Sequence, residues 1–72
     1  MYKVYSKPDC PYCIKAKDLL NRKGIAHEVI EVGKDISSEE YRSMIPGWTT
    51  VPAIYDSWGV FIGGYQELTA RF

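Results

Sequence analysis

The sequence has no excess of either charge and no long apolar run, and each absence excludes a class of function. Its 72 residues contain nine Lys and Arg against nine Asp and Glu, so the formal net charge is zero. A balanced chain generates no field that would attract nucleic acid or an anionic membrane surface. No apolar stretch approaches the roughly 20 residues that a transmembrane helix needs. We therefore expect neither nucleic acid nor a membrane among the partners.

Cysteine and histidine are also scarce, which limits the available metal chemistry. The chain has two cysteines, Cys10 and Cys13, and one histidine, His27. A structural zinc site takes four such ligands, so no closed zinc site can form within one chain, and we expect no metal. Met1 leads directly into a strand-like segment without an export signal, which predicts a cytoplasmic protein. In a reducing compartment, and across so short a loop, a permanent structural disulfide is not expected.

The pattern of apolar residues and chain breakers predicts one domain over residues 1–72, with the order β-α-β-α-β-β-α. Ser37 and Glu40 match a capping box at the start of the second helix, which Pro46 ends. Gly24 is a plausible stop for the first helix. The predicted strands are 2–6, 25–32, 52–55 and 60–62, and the first and last helices are 14–23 and 65–72.

Cys10-Pro11-Tyr12-Cys13 is the most informative segment, because it joins the first strand to the first helix. At such a junction, unpaired backbone N–H groups and the positive end of the helix dipole stabilise a thiolate. The spacing places the second sulfur one turn further along the same helix face, within reach of the first. Pro11 suits the first helical position, where no N–H is required. These features favour thiol–disulfide exchange as the chemistry of the pair.

Two further segments follow the cysteine pair in the order and at the spacing of a known family. Thr50-Val51-Pro52 opens the third strand, and Gly63-Gly64 precedes the last helix. Together with Cys10-Pro11-Tyr12-Cys13, they resemble the signature segments of dithiol glutaredoxins, over essentially the whole chain. The resemblance implies a thioredoxin-like α/β fold, with a four-stranded mixed sheet flanked by helices. It also implies an enzyme, a glutathione-dependent thiol–disulfide oxidoreductase.

The same resemblance assigns roles to individual residues. Cys10 would be the attacking thiolate and Cys13 the resolving thiol. In the family the signature proline is cis, and a cis Pro52 would leave the backbone of Val51 free to pair with glutathione. Glutathione would be a co-substrate, with no tightly bound cofactor. The glutathione-binding residues implied are Lys7, Tyr12, Thr50, Val51, Pro52, Gly64, Tyr65 and Gln66. Of these, Lys7 would attract the glycine carboxylate, and N–H groups after Gly64 would receive the γ-glutamyl carboxylate.

Some positions depart from the family pattern or carry two interpretations. Gln66 stands where the family usually has an Asp that receives the ligand's amino group. Thr49 stands where the family often has an Arg or Gln as a second carboxylate partner. Trp48 is interpreted either as an aromatic platform beside the site or as a core residue. Trp58 is placed in the hairpin turn without a functional role.

Two other functions remain open from the sequence. In an iron–sulfur carrier, Cys10 thiolates of two chains and two glutathiones would hold a cluster, although in this family a proline such as Pro11 disfavours cluster binding. A dedicated electron donor to one protein, such as ribonucleotide reductase, would instead be reduced by thioredoxin reductase. The expected partners are glutathione and disulfide-bonded or glutathionylated proteins, and the expected state is a monomer.

Overall fold

Seven elements follow one another in the order that the sequence predicts. A computed structural model describes all residues from Met1 to Phe72. The strands are β1 (Tyr2–Ser6), β2 (His27–Glu31), β3 (Ala53–Tyr55) and β4 (Phe61–Gly63), and the helices are α1 (Pro11–Arg22), α2 (Ser38–Met44) and α3 (Tyr65–Ala70). None of the three helices combines the length and apolar character needed to cross a bilayer.

The sheet is mixed, with strand order β2-β1-β3-β4. β1 runs parallel to β2 and antiparallel to β3, with Tyr5 opposite Ala53, and β4 is antiparallel to β3. The end of β1 and the start of β3 therefore lie side by side at one end of the sheet. This topology brings the loop that leads to Cys10 next to the segment that ends at Pro52.

Alternating side chains of β1 and β3 divide the core between the two faces of the sheet. Val4 and Ile54 are fully buried against α1 and α3, and Tyr5 and Ala53 point to the opposite face. The first cluster consists of Val4, Ala16, Leu20, Ile54 and Leu68. The second consists of Tyr5, Val32, Tyr41, Ile45 and Ala53, which places α2 on the other side of the sheet from α1 and α3.

The helix ends follow the local signals in the sequence. Pro11 is in the first turn of α1, and Ser37 caps α2 by accepting a 3.1 Å hydrogen bond from the Glu40 N–H. Gly24 has a φ of +69°, and the Ile25 N–H reaches back 2.9 Å to the Leu20 carbonyl. This is the Schellman pattern that closes a helix. Because Ile25 belongs to that closure, β2 begins two residues later than the sequence suggests.

Candidate active site

Cys10 is the N-cap residue of α1, and its sulfur accepts a 3.2 Å hydrogen bond from the Cys13 N–H. An N-cap side chain satisfies a backbone donor that the helix itself leaves unpaired. Hydrogen bonds to an ionised acceptor are stronger than those to a neutral one, so in the reduced protein an N–H at this position would favour the thiolate of Cys10. The two sulfurs are joined as a disulfide, with their Cα atoms 5.2 Å apart.

The two cysteines differ sharply in accessibility. Cys10 is partly exposed, whereas Cys13 is 1% exposed and packed within the protein. Thiol–disulfide exchange requires the attacking sulfur to reach its partner. An external disulfide can therefore contact the sulfur of Cys10 but not that of Cys13.

Val51 brings free backbone groups to the sulfur of Cys10. Its carbonyl oxygen lies 3.8 Å from Cys10 Sγ, and the Val51–Pro52 peptide bond is cis, as the resemblance implies. Neither the N–H nor the carbonyl of Val51 makes a backbone hydrogen bond within the chain. An extended peptide lying along this residue would find one donor and one acceptor available.

Tyr41 fixes the position of Thr50, the residue before Val51, through a hydrogen bond. Its hydroxyl donates a 2.6 Å hydrogen bond to the Thr50 carbonyl oxygen. Tyr41 is 3% exposed, and this burial raises the pKa of its hydroxyl to about 12. The hydroxyl therefore stays protonated, and remains a donor, throughout the physiological pH range.

A cavity of about 410 Å³ opens beside these groups. Seven of the eight residues that the resemblance implies for glutathione binding line it, and the eighth, Lys7, is an exposed residue outside the lining. Trp48 and Glu67 complete the wall. The full lining is Tyr12, Trp48, Thr50, Val51, Pro52, Gly64, Tyr65, Gln66 and Glu67.

Trp48 serves the cavity and the core together, so both interpretations of it from the sequence apply. Its ring packs edge-on against Phe61, with centroids 5.2 Å apart. The other side of the indole faces the cavity, and one of its carbons lies 3.3 Å from where a Cβ on Gly64 would stand. Gly64 therefore leaves the room that Trp48 needs to approach the start of α3.

Glu67 folds back over the Gly63-Gly64 pair. Its Oε1 atom accepts a 2.6 Å hydrogen bond from the Gly64 N–H. Gly63 has a φ of +128°, and a Cβ there would lie 2.7 Å from Glu67 Cγ. Glu67 lies three residues after the N-cap Gly64, which is the spacing of a capping box, although the sequence analysis does not identify this role. Gly63 is thus required because any larger residue at this position would collide with the side chain of Glu67.

The charge of the cavity is set by one side chain. Glu67 is the only ionisable acid in the lining, and no Lys or Arg lines the cavity. A positive charge reaches the rim indirectly, because the Lys15 ammonium group lies 5.1 Å from the centre of the Tyr12 ring. Tyr12 in turn faces Tyr65 across the opening, with ring centroids 6.0 Å apart. Aromatic surface therefore dominates the entrance.

Comparisons with known proteins agree with this geometry. The family model described as Glutaredoxin matches residues 3–64. Glutaredoxin 1 of Rickettsia prowazekii is 40% identical over 90% of this chain and 70% of its own length. The hybrid peroxiredoxin hyPrx5 of Haemophilus influenzae is 41% identical over 96% of this chain, which spans only 28% of that protein.

A solved structure shows the same arrangement of the backbone. The crystal structure of a buckwheat glutaredoxin–glutathione complex superposes with a TM-score of 0.82 at 27% identity. The match covers 97% of this chain and 66% of the buckwheat chain. Thioredoxin-like architecture, the matching family and the Cys10–Cys13 pair agree with one another. The chain belongs to the glutaredoxin family of thiol oxidoreductases.

Proposed function

We propose that this chain is a glutathione–disulfide oxidoreductase that reduces glutathionylated proteins and protein disulfides. The observation that carries the proposal is the position of Cys10 Sγ, 3.8 Å from the carbonyl of Val51, a residue that makes no backbone–backbone hydrogen bond. A substrate whose peptide backbone pairs with Val51 would place its own sulfur next to Cys10. Glutathione is a short peptide with a central cysteine, so it suits this arrangement.

With a glutathionylated protein, the reaction is a simple exchange at Cys10. The Cys10 thiolate attacks the glutathione sulfur, a new S–S bond forms, and the protein thiolate leaves and takes up a proton. A second glutathione thiolate then attacks the glutathione sulfur bound to Cys10. Glutathione disulfide is released and the Cys10 thiolate is restored, so Cys13 is not required for this cycle.

With a protein disulfide, Cys13 completes the reaction. Attack by Cys10 forms a mixed disulfide with one substrate sulfur and releases the other as a thiolate. The Cys13 thiolate, one helical turn away, then attacks Cys10 Sγ and displaces the remaining substrate sulfur. Two glutathiones reduce the resulting Cys10–Cys13 disulfide and leave as glutathione disulfide. The disulfide seen in the structure corresponds to this oxidised state.

Glutathione would lie along the cavity with its cysteine at Cys10. Its backbone would pair with Val51, and its γ-glutamyl end would approach Gly64, Tyr65 and Gln66, which line the far wall. The glycine carboxylate would need a cation, for which Lys7 is the proposed partner. The buckwheat relative was solved as a complex with glutathione, which supports glutathione as the ligand. We place the reaction in a reducing compartment such as the cytoplasm.

One observation favours a second candidate for the electron source. The cavity lining contains no Lys or Arg, and Gln66 and Thr49 stand where the family has other residues that bind glutathione. Weak recognition of glutathione would suit a donor to one protein, such as ribonucleotide reductase, that is itself reduced by thioredoxin reductase. The redox chemistry of Cys10 and Cys13 would be the same in both cases.

A pair of coupled assays separates these candidates. The chain is given a glutathionylated peptide with glutathione, glutathione reductase and NADPH, and in parallel an insulin disulfide with thioredoxin reductase and NADPH. We expect turnover in the first assay and little in the second. Turnover only with thioredoxin reductase would show that this enzyme, and not glutathione, supplies the electrons. No turnover in either assay would contradict the proposal as a whole. The Cys10→Ser variant serves as the blank.

A further inference from the structure

The turn between β3 and β4 presents Trp58 to solvent on a fixed backbone. Trp58 is 89% exposed. Beneath it, the Asp56 carboxylate accepts hydrogen bonds from the N–H groups of Trp58, at 2.8 Å, and Val60, at 3.0 Å. The other oxygen of Asp56 accepts a 2.9 Å hydrogen bond from Arg71. Because the backbone of the turn is already ordered, burying this indole would require no further ordering of the main chain.

Trp58 is one of several apolar side chains exposed in this region. Val60, two residues on, is 56% exposed, and Met1 and Met44 are 65% and 42% exposed. Single exposed apolar residues are ordinary, but a cluster that includes a tryptophan marks an interaction surface. Methionine adapts its shape to a partner, which adds to the suitability of this surface for binding.

A second cavity, of about 420 Å³, opens next to the turn; we call it the distal cavity. Trp58 does not line it, although its neighbours Ser57 and Gly59 form part of the rim. The full lining is Met1, Lys3, Tyr5, Met44, Tyr55, Asp56, Ser57 and Gly59. Methionine sulfur, tyrosine ring edges and a lysine ammonium are the groups that interact favourably with an indole ring. The distal cavity is thus suited to the indole ring of another molecule, because the Trp58 side chain of the same chain does not line it.

We propose that two copies of this chain associate about a two-fold axis, each inserting Trp58 into the distal cavity of the other. A two-fold interface requires the projection and its receptor to lie on the same surface of one protomer. Trp58 and the distal cavity meet that condition, because the residues on both sides of Trp58 line the cavity. A different partner would have to supply its own receptor for the indole, whereas a second copy already carries one.

The surface area that such a dimer would bury indicates a weak association. Two indoles of about 150–250 Å² each, with the cavity surface that covers them, would bury roughly 600–1,000 Å² in total. Interfaces below about 1,200 Å² are those of weak, transient complexes. We therefore infer a weak dimer that dissociates into monomers in dilute solution.

The interface leaves the active site open. β3 begins beside Cys10, directly after Pro52, and ends at Tyr55, so the turn with Trp58 lies at the other end of the sheet. Two copies joined through Trp58 would keep both active-site cavities accessible. The Trp58→Ser variant should therefore retain the oxidoreductase activity of the natural chain.

Sedimentation velocity in reducing buffer, from about 10 μM to about 1 mM protein, tests the proposal. The reductant excludes dimers linked through Cys10. We expect the average mass to rise from monomer towards dimer, with association at least tenfold weaker in Trp58→Ser and weakened in Met44→Ser. Ile14→Ser is the matched control, since Ile14 is 60% exposed and lies outside the distal cavity. It should associate like the natural chain.

Fluorescence gives a second readout that depends on the indole itself. In a Trp48→Phe background, Trp58 is the only tryptophan. Its emission should shift to shorter wavelength as the protein concentration rises. A monomer that persists to millimolar concentration, or dimerisation that Trp58→Ser leaves unchanged, would overturn the proposal.

Discussion

Tyr41 and Thr50 are joined by a 2.6 Å hydrogen bond that links α2 to the edge of the active-site cavity. The donor comes from the core on one face of the sheet, and the acceptor is the peptide group directly before Val51. Thr49, Thr50 and Val51 donate no backbone hydrogen bond. The Tyr41 hydroxyl therefore fixes the Thr50 peptide group, while the side chain of Val51 packs against the second core cluster.

Replacing Tyr41 by Phe removes this anchor while keeping the ring. We expect the free energy of unfolding to fall by about 0.5–1.5 kcal/mol, the usual net contribution of one hydrogen bond. The KM for a glutathionylated substrate should rise, because the position of Val51 becomes less defined. Urea denaturation and steady-state kinetics measure the two effects, with Tyr2→Phe as the control. An unchanged KM would show that Thr50 is held by other contacts.

The two cysteines should respond differently to substitution. Cys10→Ser should abolish both activities, because Cys10 alone has an accessible sulfur bonded to the N–H of Cys13. Cys13→Ser should retain turnover of glutathionylated peptides and lose most reduction of protein disulfides. Alkylation of the reduced protein at slightly acid pH should label Cys10 first, as peptide mass spectrometry would show. Faster labelling of Cys13 would reverse the two roles.

Gly63 should tolerate no side chain. Gly63→Ala combines a φ of +128° with a Cβ 2.7 Å from Glu67 Cγ, so the carboxylate must leave the Gly64 N–H. Gly59→Ala is a matched control, with a φ of +80° and open space around the new methyl group. The control should lose about 1–2 kcal/mol from backbone conformation alone. Thermal unfolding should show a larger loss for Gly63→Ala, and equal losses would mean that Glu67 adapts without cost.

Gln66 offers a test of how glutathione is bound. If the γ-glutamyl ammonium lies near this side chain, Gln66→Asp replaces a neutral hydrogen bond of about 0.5–1.5 kcal/mol with a charge-assisted one of about 1.5–3 kcal/mol. The KM for glutathione should fall several-fold. Gln66→Asn has the size of the aspartate without its charge and should not improve binding. Chemical-shift mapping on Cys13→Ser should show perturbations at Val51 and Tyr65, and silence at both would contradict the proposed groove.

The lowered pKa of Asp56 predicts that the free energy of unfolding depends on pH in the acid range. Backbone hydrogen bonds from Val60 and Trp58 and the charge of Arg71 lower the pKa of Asp56 from its ordinary value of 3.8. A lowered folded-state pKa contributes stability that is complete above the unfolded value and is lost as the pH falls through the folded one. Asp56→Asn should be less stable than the natural chain at neutral pH, and the difference should shrink below about pH 4.

Urea titrations between neutral and acid pH measure this effect. Asp18→Asn is the control, because Asp18 forms an exposed pair with Arg22 on α1, with side chains 62% and 65% exposed. Exposed pairs of this kind contribute at most about 1 kcal/mol. A difference between Asp56→Asn and the natural chain that persists unchanged into acid would show that the charge of Asp56 does not matter.

The order of the elements and most of the site could be predicted because their signals are local. Pro11, Gly24 and the Ser37–Glu40 capping box define helix ends through contacts within a few residues. The signature segments also line much of the cavity, to which one contributes Thr50, Val51 and Pro52. The segment at the start of α3 contributes Gly64, Tyr65 and Gln66. The sequence therefore predicts the element order, and the family resemblance implies seven of the nine residues that line the cavity.

What the sequence did not predict depends on contacts between distant segments. The bond from Tyr41 to Thr50 joins α2 to a loop, and the packing of Trp48 against Phe61 of β4 joins the cavity wall to the sheet. The resemblance to glutaredoxins implies Lys7 as a glutathione-binding residue, and Lys7 is an exposed residue outside the cavity lining. The distal cavity likewise assembles from β1, α2 and the β3–β4 turn, and no local pattern joins these elements.

The burial of Cys13 determines what happens to this protein when it meets peroxide. Cys13 is 1% exposed, so an oxidant reaches Cys10 first and converts its thiolate to a sulfenic acid. The Cys13 thiol, whose Cα is 5.2 Å from that of Cys10, can condense with this product, forming the disulfide and releasing water. Formation of the disulfide prevents further oxidation of Cys10 to the irreversible sulfinic and sulfonic acids. The hidden thiol acts as a safeguard that turns oxidative damage into a reversible state.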